Sequence, residues 1–207
     1  MNLIERRKPL NKRRYDSEQA KRVIAEKATE LFSIKGYAKT SVEDIAKASG
    51  YSKGHIYYHY QNKENLFVYL AQRGMQQWDE KWQTTTKKYQ TATEKLYGMA
   101  RHVLYNYKAP LLRAGQELAS DPTTNPSTVQ KLYGLAIIPL QAYQYILKEG
   151  ISNDEFKIED IEKTSILLGS WLGGLCQFIH TIETEELQRL FEEAITIFLL
   201  SISNKKS

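Results

Sequence analysis

The sequence predicts an all-α fold in two parts: an N-terminal three-helix unit containing a helix-turn-helix, and a larger helical region after it. Three observations support this. Apolar residues recur with a helical period along most of the chain, no segment keeps the alternation of a half-buried strand, and glycines and capping residues separate short helices near the N-terminus. A chain of 207 residues is long enough to bury a sizeable core.

Composition excludes several classes of protein. A single Cys rules out an internal disulfide framework and a cysteine-cluster metal site. The basic N-terminus is not followed by the apolar run of a signal peptide, and no uncharged apolar stretch is long enough to cross a bilayer. We therefore expect a cytoplasmic chain with no membrane partner, no metal and no cofactor.

Positive charge is concentrated in the first third of the chain. Residues 1–65 contain 14 Lys and Arg against 8 Asp and Glu, whereas the whole chain has a net charge of +5. A basic module attached to a neutral region indicates a polyanionic partner for that module alone. A basic face that serves only solubility is the alternative, and charge by itself does not separate the two.

The chain is expected to divide into three segments. Residues 1–15 are rich in Arg and Lys and have no apolar period, which predicts a flexible basic arm. Residues 16–63 are expected to form the helix-turn-helix domain. Residues 64–207 would then form the larger helical domain, with a role in ligand binding and dimerisation.

Capping signals place the first helices. Asp16 or Ser17 is suited to begin the first helix, and Gly36 is suited to end it. Ser41 opens a capping box for the second helix, which Gly50 ends. Two short helices joined by about four residues with a glycine in the turn are typical of a helix-turn-helix, whose second helix enters the major groove.

The third helix carries the segment SKGHIYYHY, which begins at Ser52. Ile56 and Tyr60 are four residues apart and are expected to share its inner face. The other side chains are hydrogen-bond donors suited to phosphate oxygens and base edges, and Gly54 permits close approach to DNA. These outward positions are Lys53, His55, Tyr57, Tyr58 and His59. Partial burial of Tyr57 and Tyr58 against the first helix is the alternative.

A long fourth helix and several further helices are expected to follow. Asn62 is suited to begin the fourth helix, which should run to about Trp82. The remaining helical segments are predicted at about 90–107, 109–120, 126–149, 159–181 and 184–202.

Aromatic residues are dense in the second part of the chain. Polar-tipped Trp and Tyr outnumber Phe there, which favours a lined cavity, although a simple core is the alternative. Glu117 would suit a lipophilic cation if it faced inward, and a solvated Glu117 is equally compatible with the sequence. The candidate ligand-binding residues are Trp78, Trp82, Tyr105, Gln116, Glu117, Tyr143, Trp171 and Phe178.

The last two predicted helices favour a homodimer. Gly169, Gly173 and Gly174 permit close helix approach, and the final helix has a continuous apolar face. Intramolecular packing would also use these features. A dimer is favoured because helix-turn-helix proteins read palindromic DNA with two copies.

Residues between about 20 and 70 resemble the TetR family of transcriptional regulators. The matching residues are Ala28, Leu31, Phe32, Gly36, Tyr37, Thr40, Ser41, Ile45, Ala46, Gly50, Ser52, Lys53, Gly54, Ile56, Tyr57, Tyr58, His59, Tyr60, Lys63, Glu64 and Leu66. Tyr60 stands where the family usually has Phe. The segments YYHY, KENLF and AYQYILKEG are also similar to QacR-like multidrug-sensing members.

The resemblance implies a dimeric regulator with a DNA-binding domain and a helical ligand-binding domain. It implies repression from a double-stranded operator that a small-molecule effector relieves. Thr40 or Ser41, together with Tyr57 and Lys63, match phosphate-contacting positions. Positions of the recognition helix, which follows the cap Ser52, are matched by Lys53, Gly54, His55, Tyr58 and His59.

The sequence has three alternative interpretations besides a ligand-released repressor. A ligand-responsive activator and a structural nucleic-acid binder share the basic helix-turn-helix. An enzyme is not expected, because the sequence has no HExxH, GxSxG, Walker or GxGxxG pattern.

Overall fold

The computed structural model describes residues 12–106 and 109–203, and these are almost entirely helical. Ten α-helices occur in this part of the chain, with short 3₁₀ turns at Thr86–Lys88 and Cys176–Phe178. The helices are α1 (Lys12–Lys35), α2 (Val42–Ser49), α3 (Lys53–Tyr60), α4 (Lys63–Thr85), α5 (Ala92–Asn106), α6 (Ala109–Ser120), α7 (Pro126–Gly134), α8 (Ile137–Ser152), α9 (Ile161–Leu175) and α10 (Thr184–Ile202). The all-α prediction is confirmed, and the one β-bridge found among the described residues joins Phe156 to Ser203.

The chain groups by contact into two compact units. The first comprises the residues up to Ala71 together with Pro110–Lys131, and the second comprises Gln72–Ala109 with the chain from Leu132 onwards. The division falls inside α4, so this helix contributes to both units. It differs from the expected boundary after residue 63, because α6 and most of α7 join the first unit. Contacts between segments distant in sequence are not visible in a one-dimensional pattern.

The first unit is built around a core contributed by α1 to α4. The fully buried side chains include Phe32 from α1, Ile45 from α2, Ile56 from α3 and Phe67 from α4. The rings of Phe32 and Phe67 meet edge to face, with centroids 5.1 Å apart. Burial of each such side chain stabilises the fold by roughly 1.5–3 kcal/mol, so this core fixes α1, α2 and α3 against α4.

Local capping sets the ends of the short helices as the sequence predicts. Ser41 accepts a hydrogen bond from the Asp44 N–H, and the Asp44 carboxylate accepts one from the Ser41 N–H, completing the capping box. Gly36 and Gly50 both have positive φ, at 80° and 74°, and end α1 and α2. Asn62 begins α4 by accepting a hydrogen bond from the Asn65 N–H.

Helix α1 begins earlier than the sequence suggests. It starts at Lys12, four residues before Asp16, so the last residues of the predicted basic arm are helical. Lys and Arg are good helix formers, and the absence of an apolar period therefore did not exclude a helix here. The rest of the predicted arm, residues 1–11, lies outside the described residues.

Two predicted helices are divided in the structure. The segment 126–149 forms α7 and α8, because Pro139 cannot donate an N–H inside a continuous helix and instead occupies the first turn of α8. The segment 159–181 ends as α9 at Leu175, directly after Gly173 and Gly174, and continues as a 3₁₀ turn. Two successive glycines are costly in an α-helix, which favours an end at this point.

The second unit has its own core, contributed mainly by α5, α8, α9 and α10. Its fully buried side chains include Leu96, Met99, Ile146, Leu172 and Phe191. No helix in the described part of the chain is long and apolar enough to cross a membrane.

Candidate nucleic-acid interface

Helix α3 presents two chemically different faces. Its inner face consists of Ile56 and Tyr60, both buried, as the four-residue spacing predicts. The Tyr60 hydroxyl donates a hydrogen bond of 2.8 Å to the Lys21 carbonyl of α1, so the hydroxyl that distinguishes this position from Phe fastens α3 to α1. The remaining side chains are thereby held at the surface.

The two outward tyrosines of α3 are exposed. Tyr58 retains 79 % of its accessible surface and Tyr57 retains 47 %. The partial burial that the sequence left open is therefore absent for Tyr58, whereas Tyr57 has about half of its surface covered. Exposed phenol rings on a basic helix offer apolar contact together with a hydrogen-bonding hydroxyl, which suits both base edges and phosphate oxygens.

Ser52 and His55 form a local hydrogen-bonded pair at the start of α3. The Ser52 hydroxyl oxygen accepts the His55 N–H and also lies 2.9 Å from His55 Nδ1. When Ser52 donates to Nδ1, the imidazole carries its hydrogen on Nε2. In that tautomer, His55 has an Nε2–H donor on an exposed side chain.

His59 lies near the other end of α3 and is partly buried. Burial lowers its pKa, and the electrostatic influence of Lys21 and His55 lowers it further, while Glu18 opposes this. A neutral imidazole at pH 7 follows. It can donate one hydrogen bond and accept another, but it adds no net charge to the surface.

Lys53 pairs with Glu43 across the turn between α2 and α3. Its Nζ lies 2.8 Å from the Glu43 carboxylate, and this hydrogen bond raises the Lys53 pKa. Both side chains are exposed, so the pair contributes little to stability. Gly54, the next residue, has only the Ser52 hydroxyl near the position of a Cβ, at 3.6 Å.

The alternatives Thr40 and Ser41 differ in accessibility. Thr40 is fully buried, and its hydroxyl donates a 2.7 Å hydrogen bond to the Gly36 carbonyl. Ser41 is exposed and caps α2. Of the two, Ser41 has the side chain that a phosphate could reach without disrupting the fold. Lys39 is exposed in the same connection between α1 and α2. It was not among the predicted DNA-binding residues, although its position between Gly36 and Ser41 indicated it.

Lys63 is engaged inside the first unit. Its Nζ donates a 2.8 Å hydrogen bond to the Tyr37 carbonyl and lies 4.0 Å from the centroid of the Tyr37 ring. Burial lowers the Lys63 pKa. Two of its three N–H donors remain for another acceptor, so a phosphate contact is compatible with this geometry but would share the ammonium with Tyr37.

The eight candidate ligand-binding residues are divided between the two units. Gln116 and Glu117 belong to the first unit, where the Glu117 carboxylate accepts hydrogen bonds from the backbone of Tyr37 and Ala38. The other six belong to the second unit, and they are Trp78, Trp82, Tyr105, Tyr143, Trp171 and Phe178.

The structure brings Trp78 and Trp82 together around His102. The imidazole centroid lies 4.6 Å from the Trp78 ring and 5.4 Å from the Trp82 ring, and Trp82 also stacks on Tyr89. Trp82 is almost completely buried. This aromatic cluster on α4 and α5 is the densest group of rings among the six candidates.

The other four candidates have different surroundings. Tyr143 is buried and packs beside Gly169, while the Tyr105 ring is exposed and its hydroxyl donates to Gln188. Trp171 and Phe178 have exposed rings.

Comparison with known proteins decides the family. The family description "Bacterial regulatory proteins, tetR family" matches residues 24–70, and "QacR-like protein, C-terminal region" matches residues 74–204. The HTH-type transcriptional regulator QacR of Staphylococcus aureus is 33 % identical over 183 residues, covering 85 % of this chain and 94 % of the relative. The chain belongs to the TetR family of bacterial transcriptional regulators.

Solved structures of TetR-like regulators share the fold. A TetR-family regulator from Mesorhizobium loti superposes with a TM-score of 0.77 at 21 % identity, covering 90 % of this chain and 98 % of that one. The regulator FadR of Bacillus subtilis, solved in complex with stearoyl-CoA, has a TM-score of 0.68 at 23 % identity, covering 86 % and 97 % of the two chains.

Family membership makes this chain a regulator, since its characterised relatives are transcriptional regulators and not enzymes. Among the described residues, no group of three or more His, Cys, Asp or Glu side chains is arranged to hold a metal ion. The residues that match the tetR family description, 24–70, include α3.

The buried His102 should make the stability of the protein depend on pH. Burial lowers its pKa, and its Nε2 donates to the Trp78 carbonyl while Nδ1 accepts from Asn106. The unfolded chain therefore binds more protons than the folded chain once the pH falls below about 6.5. The free energy of unfolding should fall as the pH drops from 7 to 5, and His102→Gln should flatten that dependence in denaturant titrations.

Exposed His180 provides the control for this experiment. His180→Gln removes an exposed imidazole and so measures the effect of the substitution itself. If His102→Gln left the pH dependence unaltered, the pKa of His102 would be the same in the folded and unfolded chains, and the prediction would be wrong.

Proposed function

We propose that the chain is a repressor that binds a palindromic DNA operator as a homodimer and leaves it when a small lipophilic or aromatic molecule binds. The observation that carries the proposal is the outward face of α3, where Ser52, His55, Tyr57 and Tyr58 are exposed and held by the buried Ile56 and Tyr60. It would act in the cytoplasm, where it meets DNA.

The contacts with DNA are proposed to fall into two groups. Tyr58 and His55 would contact base edges, with Gly54 allowing α3 to lie deep in the major groove. Tyr57, Ser41 and Lys63 would contact phosphates, and Lys53 would do so after leaving Glu43. His59 is held as a neutral donor or acceptor at the same surface.

A homodimer through α9 and α10 is supported by the apolar surface of these helices. Leu167 of α9 is 55 % exposed and Leu200 of α10 is 71 % exposed, and Ile166, Trp171 and Ile197 are also exposed. Large apolar side chains that are exposed together in one copy are typical of a surface that another protein covers. Two copies would present two α3 helices to half-sites about 34–36 Å apart.

The proposed effector site is in the second unit near Trp78 and Trp82. These residues lie on the second half of α4, whose first half contains Lys63. Displacement of the Trp78 end of α4 by a ligand would move a helix that also contributes to the DNA-binding unit. Ligand binding and DNA binding would then oppose each other.

Two alternatives remain to be separated by experiment. A ligand-responsive activator would need its effector for tight DNA binding, whereas a structural nucleic-acid binder would show neither a palindromic footprint nor an effector. Enrichment of duplex DNA from a random-sequence pool, followed by footprinting with and without effector, distinguishes all three.

The outward face of α3 is tested by Tyr58→Ala and His55→Ala. Each should weaken binding to the enriched duplex by about 1–3 kcal/mol if the side chain contacts a base edge, and binding to random-sequence DNA should change little. Fluorescence anisotropy on the two DNAs measures both affinities. Tyr133→Ala is the matched control, because Tyr133 is a similarly exposed tyrosine on α7.

The pattern of losses assigns each residue. Equal losses on both DNAs would move that residue to the group that contacts phosphates. Wild-type affinity of both variants for the enriched duplex would remove α3 from the interface.

A further inference from the structure

Glu117 holds the connection between α1 and α2. Its carboxylate Oε2 accepts a hydrogen bond of 2.9 Å from the Tyr37 N–H and a longer one of 3.4 Å from the Ala38 N–H. Glu117 lies near the end of α6, about eighty residues further along the chain, and both segments belong to the first unit. This contact was not predictable from the sequence, which is compatible with Glu117 as a ligand-binding or a solvated residue.

Gly36 makes room for the carboxylate. A Cβ built on Gly36 would lie 2.7 Å from both oxygens of Glu117, and the residue has a φ of +80°. The left-handed backbone turns successive N–H groups toward one side, which forms a small anion-binding concavity. Gly36 is therefore required both for the backbone conformation and for the approach of Glu117.

The same connection is held from the other side. Lys63 donates to the Tyr37 carbonyl, and the Tyr37 ring packs against Phe32 and Phe67, with centroids 5.5 and 5.4 Å away. Tyr37 thus has its N–H, its carbonyl and its ring each held by a different partner. Three residues later, the buried hydroxyl of Thr40 donates to the Gly36 carbonyl and closes the connection.

The connection leads directly to the DNA-facing end of α2. Ser41 caps α2, and α2 in turn meets α3 through the Glu43–Lys53 ion pair. A shift of Tyr37 and Ala38 would move the Ser41 cap and the start of α2. A helix-turn-helix reads DNA by placing two helices at once, so such a shift costs specific contacts more than non-specific attraction.

We propose that Glu117 is a positioning residue for sequence-specific DNA binding, because its carboxylate holds the Tyr37 and Ala38 N–H groups and thereby fixes the N-terminus of α2. The inference rests on the proposed DNA-binding function. It assigns to α6 a direct part in shaping the DNA-binding unit and gives Glu117 a role other than contact with an effector.

Glu117→Ala and Glu117→Gln separate the hydrogen bonds from the charge. Both variants remove the negative charge, but only Gln keeps an oxygen that can accept the Tyr37 N–H. We expect Glu117→Ala to lose about tenfold in affinity for the duplex enriched by the wild-type chain, and less than about twofold for random-sequence DNA. Glu117→Gln should recover most of the loss on the enriched duplex.

Gly36→Ala provides a second, independent measurement. Its methyl group would displace the Glu117 carboxylate, and it also strains the backbone at positive φ. In the double variant with Glu117→Ala the carboxylate is already absent. The combined loss of affinity should therefore be smaller than the product of the two separate losses.

The measurements are anisotropy titrations at a temperature where circular dichroism shows all variants folded. Equal affinities of Glu117→Ala and wild type for the enriched duplex would overturn this inference and leave the proposed function standing. So would equal losses in Glu117→Ala and Glu117→Gln, or losses that are the same on random-sequence DNA. If the wild-type chain enriches no duplex, the proposed function itself fails, and the inference fails with it.

Discussion

Gly173→Leu is expected to convert the chain to monomers and to abolish tight binding to palindromic DNA. Among the described residues of a single copy, no atom lies within 4 Å of a Cβ built on Gly173, so an added Cβ meets open space inside its own protomer. Gly is roughly 0.8–1 kcal/mol less favourable in a helix than Ala, and Leu ranks close to Ala, so the substitution does not weaken α9. Any loss of dimer must therefore come from the surface that a second copy would cover.

The loss of DNA binding should exceed the loss of any single contact. In a dimer, occupation of one half-site holds the second α3 close to the other half-site at a high effective concentration. Separation of the copies removes this advantage, which amounts to about 10²–10⁴-fold in avidity. Sedimentation velocity measures the mass of the particle, and anisotropy with the enriched duplex measures the affinity.

Gly74→Leu is the matched control for this experiment. Gly74 lies within α4 and likewise has nothing within 4 Å of its Cβ position. It should remain a dimer with wild-type sedimentation. A Gly173→Leu protein that stays dimeric and binds the enriched duplex normally would place the interface on a different surface.

A ligand that releases the chain from DNA should itself bind less tightly when DNA is present. Release by about 100-fold requires a coupling free energy of about 2.7 kcal/mol, and linkage demands the same factor in both directions. Tetraphenylphosphonium is a suitable lipophilic, aromatic cation for the test, and triphenylphosphine oxide is a neutral compound of similar shape. The Glu117 carboxylate is already bound to the backbone of Tyr37 and Ala38. Comparison of the two compounds therefore measures whether the effector site prefers a cation.

Intrinsic Trp fluorescence reports the binding. The titration is best performed in Trp171→Phe, because Trp171 is exposed on the proposed dimer surface and would respond to assembly. Quenching should then come from Trp78 and Trp82 beside His102. Equal ligand affinity with and without the enriched duplex would mean that the bound compound is not an inducer.

Local features were predictable from sequence because their physics is local. The Ser41–Asp44 capping box, the Ser52 cap and the positive φ of Gly36 each depend on a few consecutive residues. The inward pair Ile56 and Tyr60 follows from helical spacing alone. This information was enough to predict the helix-turn-helix and the exposed side of α3.

Other features depend on contacts between distant segments. The Tyr37–Glu117 hydrogen bond and the return of α6 to the first unit join residues far apart in the chain. The burial of Trp82 depends on Tyr89 and His102 packing against it, so a Trp-rich stretch could not distinguish core from cavity. The break between α7 and α8 was easier to predict, because Pro139 is a local signal for it.

The ion pair between Lys53 and Glu43 has a consequence for how the chain discriminates among DNA sequences. A phosphate that took the place of Glu43 on Lys53 would displace a carboxylate that lies 2.8 Å from Nζ. On the proposed DNA surface, Glu43 would compete with the polyanion for Lys53, and its release would offset part of the attraction that every DNA offers equally. Such an internal competitor would reduce affinity for all sequences alike, so residence on DNA would depend more strongly on the proposed base contacts of α3.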